Sequence, residues 1–263
     1  MSVLDDIIDA KRAHVAKRKR CAGLTEVEAR AQGYEPKDFV GALTQAVTDH
    51  GFGLICEVKK ASPSKGVIQP NFEPVRHAQG YVDGGAACIS VLTDTPYFQG
   101  QDSDLVAVRE TVSIPLIRKD FMIDPYQVSE AKALGADCIL LIMAALSQAQ
   151  ALELEAAAKQ QGLQVLAEVH AADELDAALR LKTPLIGVNN RNLKTLEVDT
   201  STTPVVAANI PKDRVIIAES GLAGHDELAA LKRQGIERFL IGETLMRAPD
   251  QAAAVRAFLG QAA

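Results

Sequence analysis

Five strand-like runs in the sequence each carry polar side chains whose types suit proton transfer. In the run LICEVK from Leu54, Glu57 and Lys59 share a face with Ile55, because alternate residues of a strand point the same way. The same parity pairs Lys119 with Ile117, Glu168 with Leu166, Asn189 with Gly187 and Glu219 with Ile217. If these faces converge, two lysines and three carboxylates meet in one mouth. They would shift one another's pKa values and divide acid from base roles. One such residue alone would read as a solvated charge at a strand end; the full set is hard to explain by stability.

A second group of residues suits an anion. Glu219-Ser220-Gly221 and Ile241-Gly242-Glu243-Thr244 end two late runs. Gly221 and Gly242 let backbone N–H groups approach a phosphate closely, and Ser220 adds a hydroxyl. The segment Ser62-Pro63-Ser64-Lys65-Gly66 carries further hydroxyls and a cation, although as local structure it is an ordinary Ser/Pro turn. Phe98 and Phe121 follow two of the runs and could flank a planar ring. His14, His50, His77, His170 and His225 show no ligand spacing such as HExxH, so no metal is expected.

The elements that must hold these residues form a rhythm. Apolar runs begin at Leu54, Cys88, Pro115, Cys138, Gln164, Leu185, Val215 and Arg238, with room for a helix between each pair. Helical spacing appears over Asp124–Leu134, Ser147–Gln160, Asp173–Leu181 and Asp226–Arg233. Ser147, Asp173 and Asp226 are candidate N-caps, and Gly135 and Gly235 suit left-handed helix ends. Alternating β and α elements with apolar strands predict an α/β fold with a parallel sheet. Eight units favour a closed (β/α)8 TIM barrel over an open sheet, and no GxGxxG loop follows the first strand. In such barrels the active site lies at the carboxyl ends of the strands, where the polar residues fall. Residues 1–50 do not fit the repeat. They read as an N-terminal helical extension packed on the barrel, starting with an amphipathic helix after Ser2, then helices over Leu24–Ala31 and Pro36–Val47. The expected organisation is one domain over 1–263.

The 263 residues are 48% hydrophobic and 24% charged, enough for a large core without disulfides. A net charge of −6 argues against nucleic-acid binding. The run Lys17-Arg18-Lys19-Arg20 is read as the solvated side of the first helix. Four cysteines without CxxC spacing fit a reducing compartment, and the N-terminus lacks the apolar stretch of a signal or membrane span. A cytoplasmic protein with no membrane partner is expected.

The motifs Glu57-Val58-Lys59-Lys60-Ala61-Ser62-Pro63-Ser64, Arg118-Lys119-Asp120-Phe121, Ala167-Glu168-Val169-His170, Gly187-Val188-Asn189-Asn190-Arg191-Asn192-Leu193 and Ala218-Glu219-Ser220-Gly221 resemble the indole-3-glycerol-phosphate synthases of tryptophan biosynthesis. The resemblance covers essentially the whole chain. It implies ring closure, decarboxylation and dehydration of 1-(2-carboxyphenylamino)-1-deoxyribulose 5-phosphate to indole-3-glycerol phosphate, without a cofactor. It assigns Lys119 as the ring-closure acid, Lys59 and Glu168 as the dehydration acid and base, and Glu57 as the residue that positions Lys59. Asn189 and Glu219 would orient substrate hydroxyls, and Ser62 and Arg191 would meet the substrate carboxylate or its surroundings. Phe98 and Phe121 would flank the anthranilate ring, with the phosphate on Ser220, Gly221 and Gly242. Glu243 stands where some members have serine, so its side chain is expected to point away from the anion while its backbone N–H faces it. The partner is a phosphorylated, anthranilate-derived small molecule. A monomer is expected, with association with other tryptophan-pathway enzymes as a further option. The rivals are another phosphate-binding barrel such as phosphoribosylanthranilate isomerase, whose acid–base pair would leave two inward lysines unexplained, and a non-catalytic phosphometabolite-binding barrel.

Overall fold

The computed structural model describes residues 3–193 and 195–261; Ser2, expected to precede the first helix, lies outside them. Eight parallel strands close into a barrel: Gly53–Val58, Cys88–Leu92, Leu116–Lys119, Cys138–Ile142, Gln164–Val169, Leu185–Asn189, Val215–Glu219 and Arg238–Ile241. Each pairs with the next, and the eighth returns to the first through Gly53↔Arg238 and Cys56↔Ile241. Alternation along the strands splits the core into two layers. Leu54, Cys56, Val58, Ala167 and Ala218 face outward against the helices, while Ile55, Ile117, Leu140, Leu166, Ile217 and Leu240 fill the barrel interior. The faces expected to point inward do so.

The N-terminal helices are placed at both ends of this interior. The helix Phe39–His50 closes the floor: Phe39 and Leu43 are fully buried against the strand starts, with Cys88 Sγ 3.7 Å from the Phe39 carbonyl oxygen. This helix begins later than the expected Pro36. Asp38 accepts the Gly41 N–H at 2.9 Å and so sets the first turn, because a side-chain acceptor at the cap satisfies a donor that the helix leaves free. The helix Val3–Cys21 lies across the opposite end, where Leu4, Ile7 and Ile8 join the interior cluster. Its buried Lys11 pairs with Asp94 at 2.8 Å and Asp120 at 2.6 Å, two carboxylates from the loops after the second and third strands.

The basic run at the end of this helix is only partly solvated, contrary to expectation. Arg18 pairs with Glu130 at 2.6 Å and with Asp102 at 2.9 Å, and Lys19 with Asp124 at 2.6 Å, so two of the four cations clamp the helix to the barrel. Two expected caps also differ. Asp173 lies within the short 3-10 turn Ala172–Glu174, and Asp226 lies inside the helix His225–Lys232, where Glu227 instead takes the Ala223 N–H at 2.6 Å. Ser147 does cap its helix, and Gly135 and Gly235 have the left-handed φ values of 87° and 84°. Among the described residues no helix is long and apolar enough to cross a membrane.

Candidate active site

A cavity of ≈ 910 Å³, counting its open mouth, sits at the carboxyl ends of the strands, large enough for a small metabolite. Its wall contains Glu57, Lys59, Phe98, Lys119, Phe121, Glu168, Asn189, Arg191, Glu219, Ser220, Gly221 and Gly242. Ser62 lies outside it, as do Ser64, Lys65 and Gly66 of the same segment. The segment after the first strand folds into a small antiparallel hairpin, Ala61–Ser62 with Gly66–Val67, and puts Ser62 in an adjoining cavity shared with Lys59, Phe98, Phe121 and Arg191. Leu4 and Ile7 of the first helix line that second cavity.

Lys119 is the centre of the charge arrangement. Its Nζ stands 2.8 Å from Glu168 Oε2 and 3.0 Å from Glu219 Oε2. Burial alone would favour the neutral amine, but Glu168, Glu219 and Glu57 outweigh it and raise the lysine's pKa, so it stays cationic. The two carboxylates diverge although they share that cation. Burial pushes Glu168 up, yet Lys119 and His170 hold it well below the usual carboxylate range. Burial and the charge on Glu168 outweigh Lys119 at Glu219 and push it up to about 8. One carboxyl is thus an ionised base and its neighbour a proton-bearing group near neutral pH. Glu219 Oε1 has no hydrogen-bond partner among the described residues.

Lys59 forms a short contact with Glu57 Oε1, so the second lysine is likewise held by a carboxylate. Two glycines make room for these groups. A Cβ at Gly187 would collide with Glu219 Oε1, and one at Gly242 would collide with Glu57 Oε1 and approach Lys59 Nζ to 2.9 Å. The sequence therefore needs both glycines for close approach, whatever else they serve.

At the far side of the mouth Ser220 and Gly221 both adopt left-handed backbone, φ 66° and 76°. For serine this costs energy, and the neighbours hold it there. Asn190 Nδ2 donates to the Ser220 carbonyl at 3.0 Å, while Asn190 Oδ1 accepts from Thr203 N at 3.0 Å and Thr203 Oγ1 at 2.8 Å. Glu243 opens the helix Glu243–Arg247, and its carboxylate turns along that helix to Arg247 Nε at 3.1 Å. Asn189 Oδ1 accepts the Arg191 N–H at 3.0 Å, and Arg191 NH1 reaches Ser64 Oγ at 3.2 Å and the Leu196 carbonyl at 2.9 Å. The Phe98 and Phe121 rings lie 6.2 Å apart, tilted by 41°.

Three residues that hold the site were not singled out from the sequence. Asp120 takes the Phe121 N–H at 2.8 Å and binds Thr93, Arg118 and Lys11, so it fixes the turn between Lys119 and Phe121. Lys11 reaches that turn from the first helix. His170 stands 3.0 Å from Glu168 Oε1. For His170 a signal was present, since it shares the parity of Glu168; for Lys11 none was, because its partners lie far along the chain. Among the described residues no group of three or more His, Cys, Asp and Glu is placed to hold a metal ion.

Comparison with known proteins gives the family. A family model described as indole-3-glycerol phosphate synthase matches residues 4–258. The indole-3-glycerol phosphate synthase of Azospirillum brasilense is 55% identical over 258 residues, covering 98% of each chain. That of Rhizorhabdus wittichii is 51% identical over 257 residues, covering 97% of each. Among solved structures, a 3-hexulose-6-phosphate synthase superimposes with a TM-score of 0.63 over 80% of this chain and 100% of its own; at 15% identity that likeness speaks for the fold alone.

Proposed function

The chain belongs to the indole-3-glycerol phosphate synthase family, and from that premise we propose how its own residues carry out the carboxy-lyase reaction of tryptophan biosynthesis. The substrate is 1-(2-carboxyphenylamino)-1-deoxyribulose 5-phosphate. Its ring carbon attacks the ketone, carbon dioxide leaves, and loss of water restores the aromatic ring of indole-3-glycerol phosphate. The observation that carries the reading is the placement of Lys119 between Glu168 and Glu219.

Lys119, kept protonated by those carboxylates, gives a proton to the alkoxide that forms as the ring closes. Decarboxylation needs no further proton donor. In the dehydration, Lys59 protonates the departing hydroxyl and Glu168, the more acidic carboxyl, takes the ring-side proton. Glu57 keeps Lys59 aimed. Glu219, with a carboxyl oxygen unpartnered among the described residues, and Asn189 orient the substrate hydroxyls. Phe98 and Phe121 flank the anthranilate ring, with Arg191 and Ser62 on the side of its carboxylate. Ser220, Gly221, Gly242 and the Glu243 N–H receive the phosphate, a role supported by the left-handed turn at Ser220-Gly221 and by the pairing of the Glu243 carboxylate with Arg247.

We read 1–263 as one domain acting as a monomer, a reading supported by one closed barrel that carries the whole strand-end site. The four cysteines are free thiols, which supports a reducing, cytoplasmic location. The test is direct: supply the carboxyphenylamino deoxyribulose phosphate and follow indole fluorescence and carbon dioxide release. Folded protein that yields neither refutes the assignment.

A further inference from the structure

His170 continues the fifth strand by two residues past Glu168 and turns to the same side. Its side chain is 5% exposed, so the imidazole is taken almost wholly out of water. Nε2 stands 3.0 Å from Glu168 Oε1, at ion-pair distance but not aligned for a hydrogen bond, and Nδ1 stands 3.4 Å from Glu174 Oε2. Glu174 also accepts the His170 backbone N–H at 2.9 Å, so one carboxylate grips both the ring and the chain that carries it. The other oxygen of Glu168 is already bound to Lys119.

We propose that His170, braced by Glu174, is a positioning residue that holds Glu168 in a single orientation and in its ionised form, ready to accept the proton lost in dehydration. The inference rests on the role given to Glu168 under Proposed function. A buried carboxylate paired with one cation can swing about that contact, whereas one with a cation beside each oxygen is confined between the two charges. Charge acts in the same sense. Four titratable groups surround the contact: Glu168 on the strand, Glu174 in the following turn, and Lys119 and Glu219 on the far side of Glu168. Burial works against a charged imidazole, but Glu168 and Glu174 prevail and lift its pKa to about 9. An imidazolium at Glu168 then opposes the desolvation that would otherwise drive Glu168 toward its protonated form.

The test uses the full chain with His170→Gln and Glu174→Gln, each checked for wild-type circular dichroism and melting behaviour. In His170→Gln, kcat is expected to fall by on the order of tenfold with little change in KM, because a misaligned base slows a step after binding. The acidic limb of the kcat–pH profile should move upward by about one pH unit, as Glu168 loses a neighbouring cation. Glu174→Gln should shift the same limb in the same direction by less. A folded His170→Gln with the wild-type profile overturns the proposal. A second readout needs no turnover: 15N NMR of the substrate-free wild type should show the His170 ring as imidazolium at pH 7, and a neutral ring there overturns the proposal even if His170→Gln does not fold. Failure of the wild type to form indole product would instead refute the synthase reading, while the NMR titration still reports whether His170 faces Glu168 charged.

Discussion

Gly187 and Glu219 fit as a void and its filling: the side chain absent from the sixth strand is the space taken by Glu219 Oε1 on the seventh. The site therefore depends on an atom that is missing as much as on those present. Gly187→Ala should displace the Glu219 carboxylate and, through it, Lys119. A misplacement on the order of 1 Å costs roughly 10²-fold in rate. We expect kcat/KM to drop by about that much in a protein whose circular dichroism is unchanged; full activity in the alanine variant would show that the fit is unimportant.

Lys119→Ala and Glu168→Gln should arrest the reaction at different stages. Without Lys119 the alkoxide finds no acid, so substrate should persist with no carbon dioxide released. Glu168→Gln should leave ring closure and decarboxylation possible but remove the proposed final base, so carbon dioxide should appear ahead of indole fluorescence. Rapid-quench sampling of both variants checks this, and the same accumulating species in each would contradict the division of roles.

Lys11→Met should destabilise the fold markedly. The lysine is 4% exposed and sits between Asp94 and Asp120, and its pKa is raised because the two carboxylates together outweigh burial. Removing it strands buried charge, a change that costs about 3–5 kcal/mol. Urea unfolding measures that loss. Activity should fall as well, since Asp120 orders the Lys119–Phe121 turn.

Stability should decline from neutral toward alkaline pH. His170 has its folded pKa raised from 6.5 to about 9. Its contribution is complete below pH 6.5 and is lost as pH rises through 9, about 3 kcal/mol at most. Glu219, raised to about 8, acts in the same direction, whereas Glu168, depressed, contributes stability that is lost only as pH falls through its lowered pKa. Unfolding free energies at pH 6 and pH 9.5 should show a larger drop for the wild type than for His170→Gln. An equal drop in the two proteins would argue that His170 carries no charge in the fold.

The barrel and most of its site were legible because both follow from a period of two. Once Ile55, Ile117, Leu166 and Ile217 are taken as interior, Glu57, Lys119, Glu168 and Glu219 are committed to the same side. What escaped sequence reading depends on partners brought together only by closure. Arg18 looks solvated until Glu130 and Asp102 are seen beside it, and Lys11 is an ordinary helix cation until Asp94 and Asp120 enclose it. Pro36 and Asp38 both suit a helix start, and only the bond from Asp38 to Gly41 chooses between them. His170 was passed over because it was judged as a metal ligand, whereas its value lies in touching a carboxylate.

Phe39 and Leu43, neither with exposed surface, pack into the floor of the barrel. The cavity opens at the other end of the barrel, where the strands finish. Substrate arriving and indole product departing through that mouth share one path, so each turnover ends with the path clearing before the next molecule enters. Product and substrate compete for that passage by architecture, before any difference in their affinities is considered.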